Sequence, residues 1–330
     1  MKTLKAAVVG AGWVGKMHAL AYKSNPRVKL EWIADVNEES ARKMAEDLKV
    51  EYTTTFTELL EKDIQILSIA TPPDTHFRMA KAALEKGVHV LVEKPITLDV
   101  KEAEILMDMT EENREVRVMV GFSERFHIGF NAVKKRIGSI GKPYMAHGWW
   151  VHRANSSKGW IWDPEKSGGA IVDLGVFLID LFRWYFNSEV RMVECRSGNF
   201  VFNDAESEDT ASMFLKFRTG AFASIDVSRF LPNSFPSPLN VGMHLYGTKG
   251  CMKVDTSMSL PLQIFTEEDT SIPDLLRTPK LWISDEINYF IENIITGKKH
   301  ICTVKDGLMA IKVALGARKS AETHKKVVFN

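Results

Sequence analysis

The sequence predicts an α/β protein: an amino-terminal doubly wound parallel sheet followed by a second domain of different patterning. Three observations predict it. Over roughly the first 120 residues, short apolar runs alternate with segments of helical period. A glycine-rich turn, Gly10-Ala11-Gly12-Trp13-Val14-Gly15, joins the first run to the first helix. From about Phe122 the alternation stops. A length of 330 residues fits two hydrophobic cores better than one. The expected division is residues 1–122 and 123–330.

Each element has a local reason. Lys5 to Val9 is a compact strand-type run, and from Trp13 the apolar positions recur at helical spacing until Asn25-Pro26 stops them. Val28 to Ala34 reads as a second strand and Glu38 to Leu48 as a helix, with Asn37 placed to cap it. Ile64 to Ala70 is expected as the third strand, His76 to Lys86 as a helix stopped by Gly87, and Val88 to Val92 as the next strand. A helix from near Asp99 and a strand at Arg117 to Val120 complete the series. Strand and helix in strict alternation require parallel pairing, with helices on both faces. Beyond Phe122 the expected elements are a helix at Phe130 to Ile137 and a strand from Pro143 to Val151. Further strands are expected at Arg191–Ser197, Thr210–Phe217, Ala221–Val227, Asn240–Tyr246 and Cys251–Val254. Helices at Ser284–Ile295 and Val304–Thr323 follow. Thr219-Gly220 between two of the strands is a hairpin turn, the mark of antiparallel pairing.

Composition excludes several classes. The 43 basic and 42 acidic side chains leave a net charge of +1, which argues against a nucleic-acid partner. No run of apolar residues reaches the length of a membrane span, so no membrane partner is expected. Three scattered cysteines, Cys195, Cys251 and Cys302, form neither a disulfide framework nor a metal-binding pair, and no metal is expected. They suit a reducing, cytoplasmic setting. The apolar stretch from Ala6 is broken by three glycines and reads as part of the fold rather than a leader.

The glycine turn carries chemistry because of its context. It follows a strand, opens a helix, and is trailed 20 residues beyond Gly15 by Asp35 at the end of the second strand. Gly10 permits the tight turn, Gly12 lets the backbone approach a pyrophosphate, and Gly15 lets the helix pack on the strand. The helix start, with Trp13 and Val14, offers unpaired N–H groups to phosphate. Asp35 is placed to accept both ribose hydroxyls of NAD and would repel a 2′-phosphate, so NAD is expected rather than NADP. This is a Rossmann-type nucleotide site.

Three further segments narrow the reading: Thr71-Pro72-Pro73-Asp74-Thr75-His76, Glu93-Lys94-Pro95, and Ser167-Gly168-Gly169-Ala170-Ile171-Val172-Asp173. With the glycine turn, and in this order along the chain, the set resembles the glucose–fructose oxidoreductase, inositol dehydrogenase and rhizopine-catabolism family (Gfo/Idh/MocA). The resemblance implies an α+β second domain built on a large, open, mostly antiparallel sheet. Substrate would lie between that sheet and the nicotinamide. It implies hydride transfer between a sugar or polyol carbon and NAD. Thr71 and Pro72 would line the cofactor cleft, with His76 and Glu93 beside it; Lys94 would hydrogen-bond the reacting oxygen, and its peptide bond to Pro95 would be cis. Chemistry points to Lys94 as well. It follows a buried strand at the carboxyl edge of the sheet, next to an acid placed to hold it, where a lysine is suited to exchanging protons.

One position departs from the family pattern. Where the second-domain helix is expected to carry a histidine, this chain has Phe177, between Asp173 and Asp180. At 3.6 residues per turn these three share one face within about 60°. Phenylalanine moves no proton. Three accounts remain: Lys94 exchanges the proton with Asp173 orienting or relaying and Phe177 closing the pocket; another histidine or tyrosine enters, with His152 best placed of nine histidines that include His300; or the activity is redirected. The first is the expectation, with Lys94 and Asp173 as the catalytic pair.

Four tryptophans, Trp149, Trp150, Trp160 and Trp162, fall within 14 residues, and the polar loop from His152 to Gly169 follows the first two. Aromatic faces stack on sugar C–H faces and arginine donates to hydroxyls, so Arg153 and Trp162 join Lys94, Asp173 and Phe177 as candidate substrate contacts. Trp149 and Trp150, adjacent on a strand, should point to opposite faces. A broad sheet face is a natural surface for a homodimer or homotetramer. The function expected is an NAD-dependent dehydrogenase of a sugar, polyol or sugar acid. The alternatives are a non-catalytic dinucleotide or sugar sensor and an NAD-assisted sugar lyase or glycosidase.

Overall fold

The computed structural model describes residues 3–256, 262–266, 270–271, 282–298 and 301–330; His300 lies outside them. By its contacts the chain divides into two units, Met1–Ser123 with Pro279–Leu308, and Glu124–Thr278 with Met309–Asn330.

The first unit is the doubly wound sheet. Its strands are β1 (Leu4–Val9), β2 (Val28–Ala34), β3 (Glu51–Thr53), β4 (Ile66–Ile69), β5 (His89–Glu93) and β6 (Val118–Gly121), ordered β3-β2-β1-β4-β5-β6 and all parallel. The helices are α1 (Trp13–Ser24), α2 (Glu38–Leu48), the single turn α3 (Phe56–Leu59), α4 (His76–Glu85) and α5 (Val100–Glu112). Every residue of β4 and β6 is buried, as expected for a sheet covered on both faces. The expected cap is present, the Asn37 side chain accepting the Ser40 N–H, and at the expected helix start the Asp99 carboxylate accepts the N–H groups of Lys101 and Glu102. One expectation needs correction. The run at Ile64–Ala70 is the fourth strand, because three-residue β3 precedes it, too short and polar to show a period. The order of strands reverses between β1 and β4, and the carboxyl ends there form the crevice in which open α/β sheets hold ligands. The Trp282–Thr296 helix returns to this unit and packs on α1, where Arg27 pairs with Glu292 and Asn25 with Asn288.

The second unit starts with α6 (Ile128–Arg136) and β7 (Pro143–His152). Short helices α7 (Pro164–Ser167) and α8 (Gly169–Asp173) lead into α9 (Gly175–Phe186). The remaining strands are β8 (Val190–Gly198), β9 (Thr210–Phe217), β10 (Phe222–Ser228), β11 (Leu239–Gly247), β12 (Gly250–Asp255), β13 (Leu262–Thr266), β14 (Thr270–Ser271) and β15 (Val327–Val328). Among the described residues they form one sheet ordered β14-β13-β12-β11-β7-β10-β9-β8-β15. Only β7 and β10 pair in parallel; the other pairs are antiparallel. Along β9 the residues alternate buried and exposed, so one face is core and the other is open. The buried face carries Trp150, Met213, Leu215, Ile225 and Met243 and packs against α9, which is buried at eleven of its twelve positions. Among the described residues, no helix is long and apolar enough to cross a membrane.

Candidate active site

In the first unit the glycine turn is shaped for a nucleotide. Gly10 sits at φ +101°, and a Cβ there would run into the Ala70 carbonyl; a Cβ at Gly15 would strike the Gly10 carbonyl. Gly12 is the opposite case, with open space around its missing Cβ. Helix α1 starts at that point with no side-chain cap and no acid in its first turn. Its N-terminal N–H groups and partial positive charge are thus offered outward, which fits a pyrophosphate. Val14 is half-buried, and Trp13 is 62% exposed beside the turn. Asp35 is held against the turn: Oδ2 accepts the Ala11 N–H at 2.6 Å and Oδ1 the Asn37 N–H at 2.8 Å. A carboxylate fixed at the end of β2 suits ribose hydroxyls and repels an added phosphate, so the residues present fit NAD.

Thr71, Pro72, Glu93 and Lys94 stand at the same carboxyl edge, at the ends of β4 and β5. The Thr71 hydroxyl lies 2.6 Å from that of Thr75, which donates to the Pro72 carbonyl. The Lys94–Pro95 bond is cis, as the resemblance implied. Glu93 Oε2 accepts the Lys94 N–H at 3.2 Å, and Oε1 lies 3.2 Å from Nε2 of fully buried His18. Gly121 in β6 makes room for this carboxylate, since a Cβ there would lie 2.9 Å from Glu93 Oε1. Buried Glu286, on the Trp282–Thr296 helix, completes a trio with buried His18 and half-buried Glu93 in which one polar atom from each lies within 4.8 Å of the others. His76 is also fully buried. Its Nδ1 lies 2.8 Å from the Pro95 carbonyl oxygen and its Nε2 2.9 Å from that of Thr71. Sequence reasoning gave no role to His18 or Glu286. The spacing of His18 three residues after Gly15 puts it one turn into α1, facing the sheet, and that was the available signal.

In the second unit the two acids of the expected stripe take separate partners. The helix is interrupted at Leu174, so Asp173 ends α8 while Phe177 and Asp180 belong to α9. Each acid serves a different arginine. Asp180, 1% exposed, is gripped by Arg125 through Nε at 2.7 Å and Nη2 at 2.6 Å, a structural ion pair. Asp173 accepts a hydrogen bond at 3.0 Å from Arg229, which is 1% exposed and lies over the Trp162 ring at 5.3 Å. Arg229 escaped the sequence reading because an arginine just past a strand is ordinarily exposed. Phe177 stacks on Trp150 with centroids 4.2 Å apart and an interplanar angle of 4°. Glu208 accepts the Ile171 N–H at 2.7 Å, and a Cβ at Gly169 would lie 2.5 Å from its carboxylate. Burial pushes the Glu208 carboxyl up, opposed by the Ile171 N–H and by Arg229 and Arg318.

The tryptophan loop is built inward more than expected. Trp162 is 2% exposed, donates Nε1–H to the Ser156 carbonyl at 2.7 Å, and backs Arg229; Trp160 is the exposed one, at 43%. Arg153 Nη2 donates to the carbonyls of Pro232 and Phe235 at 2.8 and 2.7 Å, fastening the loop before β11. Trp149 and Trp150 do point to opposite faces of β7: Trp150 is buried on Phe177, and Trp149 donates to Asn240 Oδ1 at 2.9 Å on the open face. His152 ends β7, half-buried and opposite Leu239.

Comparison with known proteins agrees with this arrangement. The family model described as an oxidoreductase family with an NAD-binding Rossmann fold matches residues 4–122, and the Gfo/Idh/MocA carboxy-terminal domain model matches residues 130–253. The uncharacterized oxidoreductase YrbE of Bacillus subtilis (strain 168) is 28% identical, over 97% of this chain and 94% of its own length. The myo-inositol 2-dehydrogenase of Thermotoga maritima is 26% identical, over 98% of both. A solved structure of levoglucosan dehydrogenase in complex with NADH superposes with a TM-score of 0.90 at 22% identity, covering 100% of each chain, a likeness of fold. With both of its domain models matched in order, and with the glycine turn, Asp35 and the Glu93–Lys94–Pro95 loop in place, the chain belongs to the Gfo/Idh/MocA oxidoreductase family.

Proposed function

We propose that the protein is an NAD-dependent dehydrogenase of a cyclic polyol or sugar, with Lys94 exchanging the proton of the reacting hydroxyl. One observation carries the reading: Lys94 follows β5 at the carboxyl edge of the sheet that holds the glycine turn and Asp35. When bound there, NAD supplies the hydride acceptor. The chain's own residues do the rest. Gly12 and the start of α1 bind the phosphates, Asp35 the ribose, and Thr71 and Pro72 border the nicotinamide. In the oxidation direction Lys94 takes up the hydroxyl proton at Nζ. Residues 1–122, with the Trp282–Thr296 helix packed on them, form the cofactor-binding part, and the remainder of 123–330 the part that binds substrate and assembles. In the latter, Asp173, oriented by Arg229, accepts a substrate hydroxyl, and the Phe177–Trp150 stack offers an apolar wall to the ring. Trp162 supports this from behind Arg229, and Arg153 holds the loop before β11. The substrate class follows the inositol dehydrogenase among the relatives. Copies of the chain associate through the open face of the second unit's sheet.

The test is NADH absorbance over a panel of inositols, other polyols, aldoses and uronates. The wild-type protein is expected to turn over at least one of them. Lys94→Ala is expected to lower kcat by about 100-fold or more while NAD binding stays within about threefold, as for loss of a proton-transfer group. A wild type silent across the panel, or no different from Lys94→Ala, overturns the proposal. Phe177 favours a second reading, a dinucleotide-binding sensor, since the ring that stands on α9 moves no proton. That reading requires tight NAD binding with no turnover of any substrate.

A further inference from the structure

We propose that His76 is a positioning residue that ties the Thr71 turn to the Lys94 loop through its two ring nitrogens. Thr71 opens the crossover after β4, and Pro95 follows Lys94 across a cis bond; the chain separates them by 24 residues, and the imidazole is the bridge between them. The ring is fully buried at the start of α4 and touches no exposed surface, so its role is internal. Both partners are carbonyl oxygens, which only accept. Each bond needs a proton on its own nitrogen; the neutral ring serves the two carbonyls one at a time, according to its tautomer, and the protonated ring serves both. Burial lowers the ring's pKa below its ordinary 6.5. The Pro95 and Thr71 carbonyls and the Glu93 carboxylate act against that, and the Lys94 ammonium acts with it.

The same loop is gripped from its other end. His18 meets the Glu93 carboxylate, which accepts the Lys94 N–H, and a side chain at Gly121 would displace that carboxylate. The peptide that carries Lys94 thus has a fixed neighbour on each side. Of the two histidines only His76 also reaches the turn assigned to the nicotinamide, so it alone joins the two parts. A reacting amine must sit within hydrogen-bond reach of its proton, and a misplacement of about 1 Å costs rate out of proportion to stability. The inference rests on the dehydrogenase reading for its kinetic consequence and on geometry alone for the tie itself.

Two near-isosteric variants separate the arms. In His76→Asn the amide nitrogen can stand near the place of Nδ1 and keep Pro95 while losing Thr71. In His76→Gln it stands near the place of Nε2 and keeps Thr71 while losing Pro95. Hydrogen–deuterium exchange with peptide-resolved mass spectrometry, on the full chain stripped of cofactor, reads the tie directly. His76→Gln is expected to speed exchange about tenfold in residues 93–99 and leave 68–75 within about twofold of wild type, and His76→Asn the reverse, as for loss of one buried hydrogen bond. A variant whose own loop exchanges at the wild-type rate overturns the tie, as does a pair that speeds exchange alike across the whole first unit. With NAD and the substrate found above, His76→Gln is expected to lower kcat about tenfold with the NAD Kd within about threefold. His76→Asn is expected to raise that Kd about tenfold with kcat within about threefold. Equal effects of both variants on both constants contradict the positioning role. A wild type that binds no NAD would overturn the dehydrogenase reading while the exchange data still decided the tie.

Discussion

Two carboxylates illustrate how much a single residue's surroundings decide. Asp35 was identifiable from its distance to Gly15, because the end of β2 is set by local chain geometry. Its grip on the Ala11 N–H fixes it beside the helix start. Asp35→Ser is expected to raise the NAD Kd about tenfold and to narrow the preference over NADP, since the repelling charge is gone; calorimetry with both dinucleotides checks this. Asp173 was identifiable as an acid of the second part but not in its pairing. Arg229 lies 56 residues away in sequence, and only the packing of β10 against α8 brings them to 3.0 Å. Removing the arginine leaves a mostly buried carboxylate without its partner. Arg229→Ala is therefore expected to cost about 3 kcal/mol, and urea unfolding followed at the tryptophans would show it. A loss below about 1 kcal/mol would mean that the pair is not buried in solution.

Elements were read reliably where propensity and burial agree. Asn37 and Asp99 mark their helix starts because a short polar side chain caps best there, and the caps are present. Elements failed to show where packing overrides local pattern. Strand β3 has three residues and no period, and β2 alone makes it a strand. The run from Ile171 to Phe182 is apolar almost throughout, so nothing in it marks the break at Leu174. At that point a Cβ on Gly175 would lie 2.8 Å from the Met213 methyl, which would have to move aside. Helix α6 shows a further cost of burial. Its cap is His127, whose Nδ1 accepts the Gly129 N–H, and burial pushes that imidazole down to about 4. The unfolded ring titrates near 6.5, so below that pH the unfolded chain takes up a proton that the folded chain refuses. Stability present above about pH 6.5 is thus expected to fall by up to about 3 kcal/mol as pH drops toward 4. His127→Asn, which keeps a capping acceptor without the titration, is expected to flatten that slope in denaturation curves taken across this range.

For the molecule as a whole, the open face of the nine-stranded sheet poses the clearest question. Phe214 and Phe222, 41% and 37% exposed, sit on it with His147, Trp149, His244 and Tyr246. A face of that size and aromatic content is unusual for a protein that stays single. Light scattering after size exclusion is expected to report a dimer or tetramer, and Phe214→Glu with Phe222→Glu to shift it toward the monomer while the melting temperature changes by only a few degrees. A wild type that elutes as a monomer at all concentrations would remove this face from consideration. Between them, the two units show where sequence stops being informative. The alternation of strand and helix, the nucleotide turn, the acid that follows it and the lysine loop were all legible, because each depends on neighbours within about 30 residues. The carboxylate partners, the burial of Trp162 and the bridging of Thr71 to Pro95 by His76 were not. The carboxylate pairs join groups more than 50 residues apart, and the His76 bridge, though closer in sequence, depends on which acceptors meet a buried ring. In a buried interior a charge or an N–H must find a specific acceptor, and only the folded packing decides which one it finds.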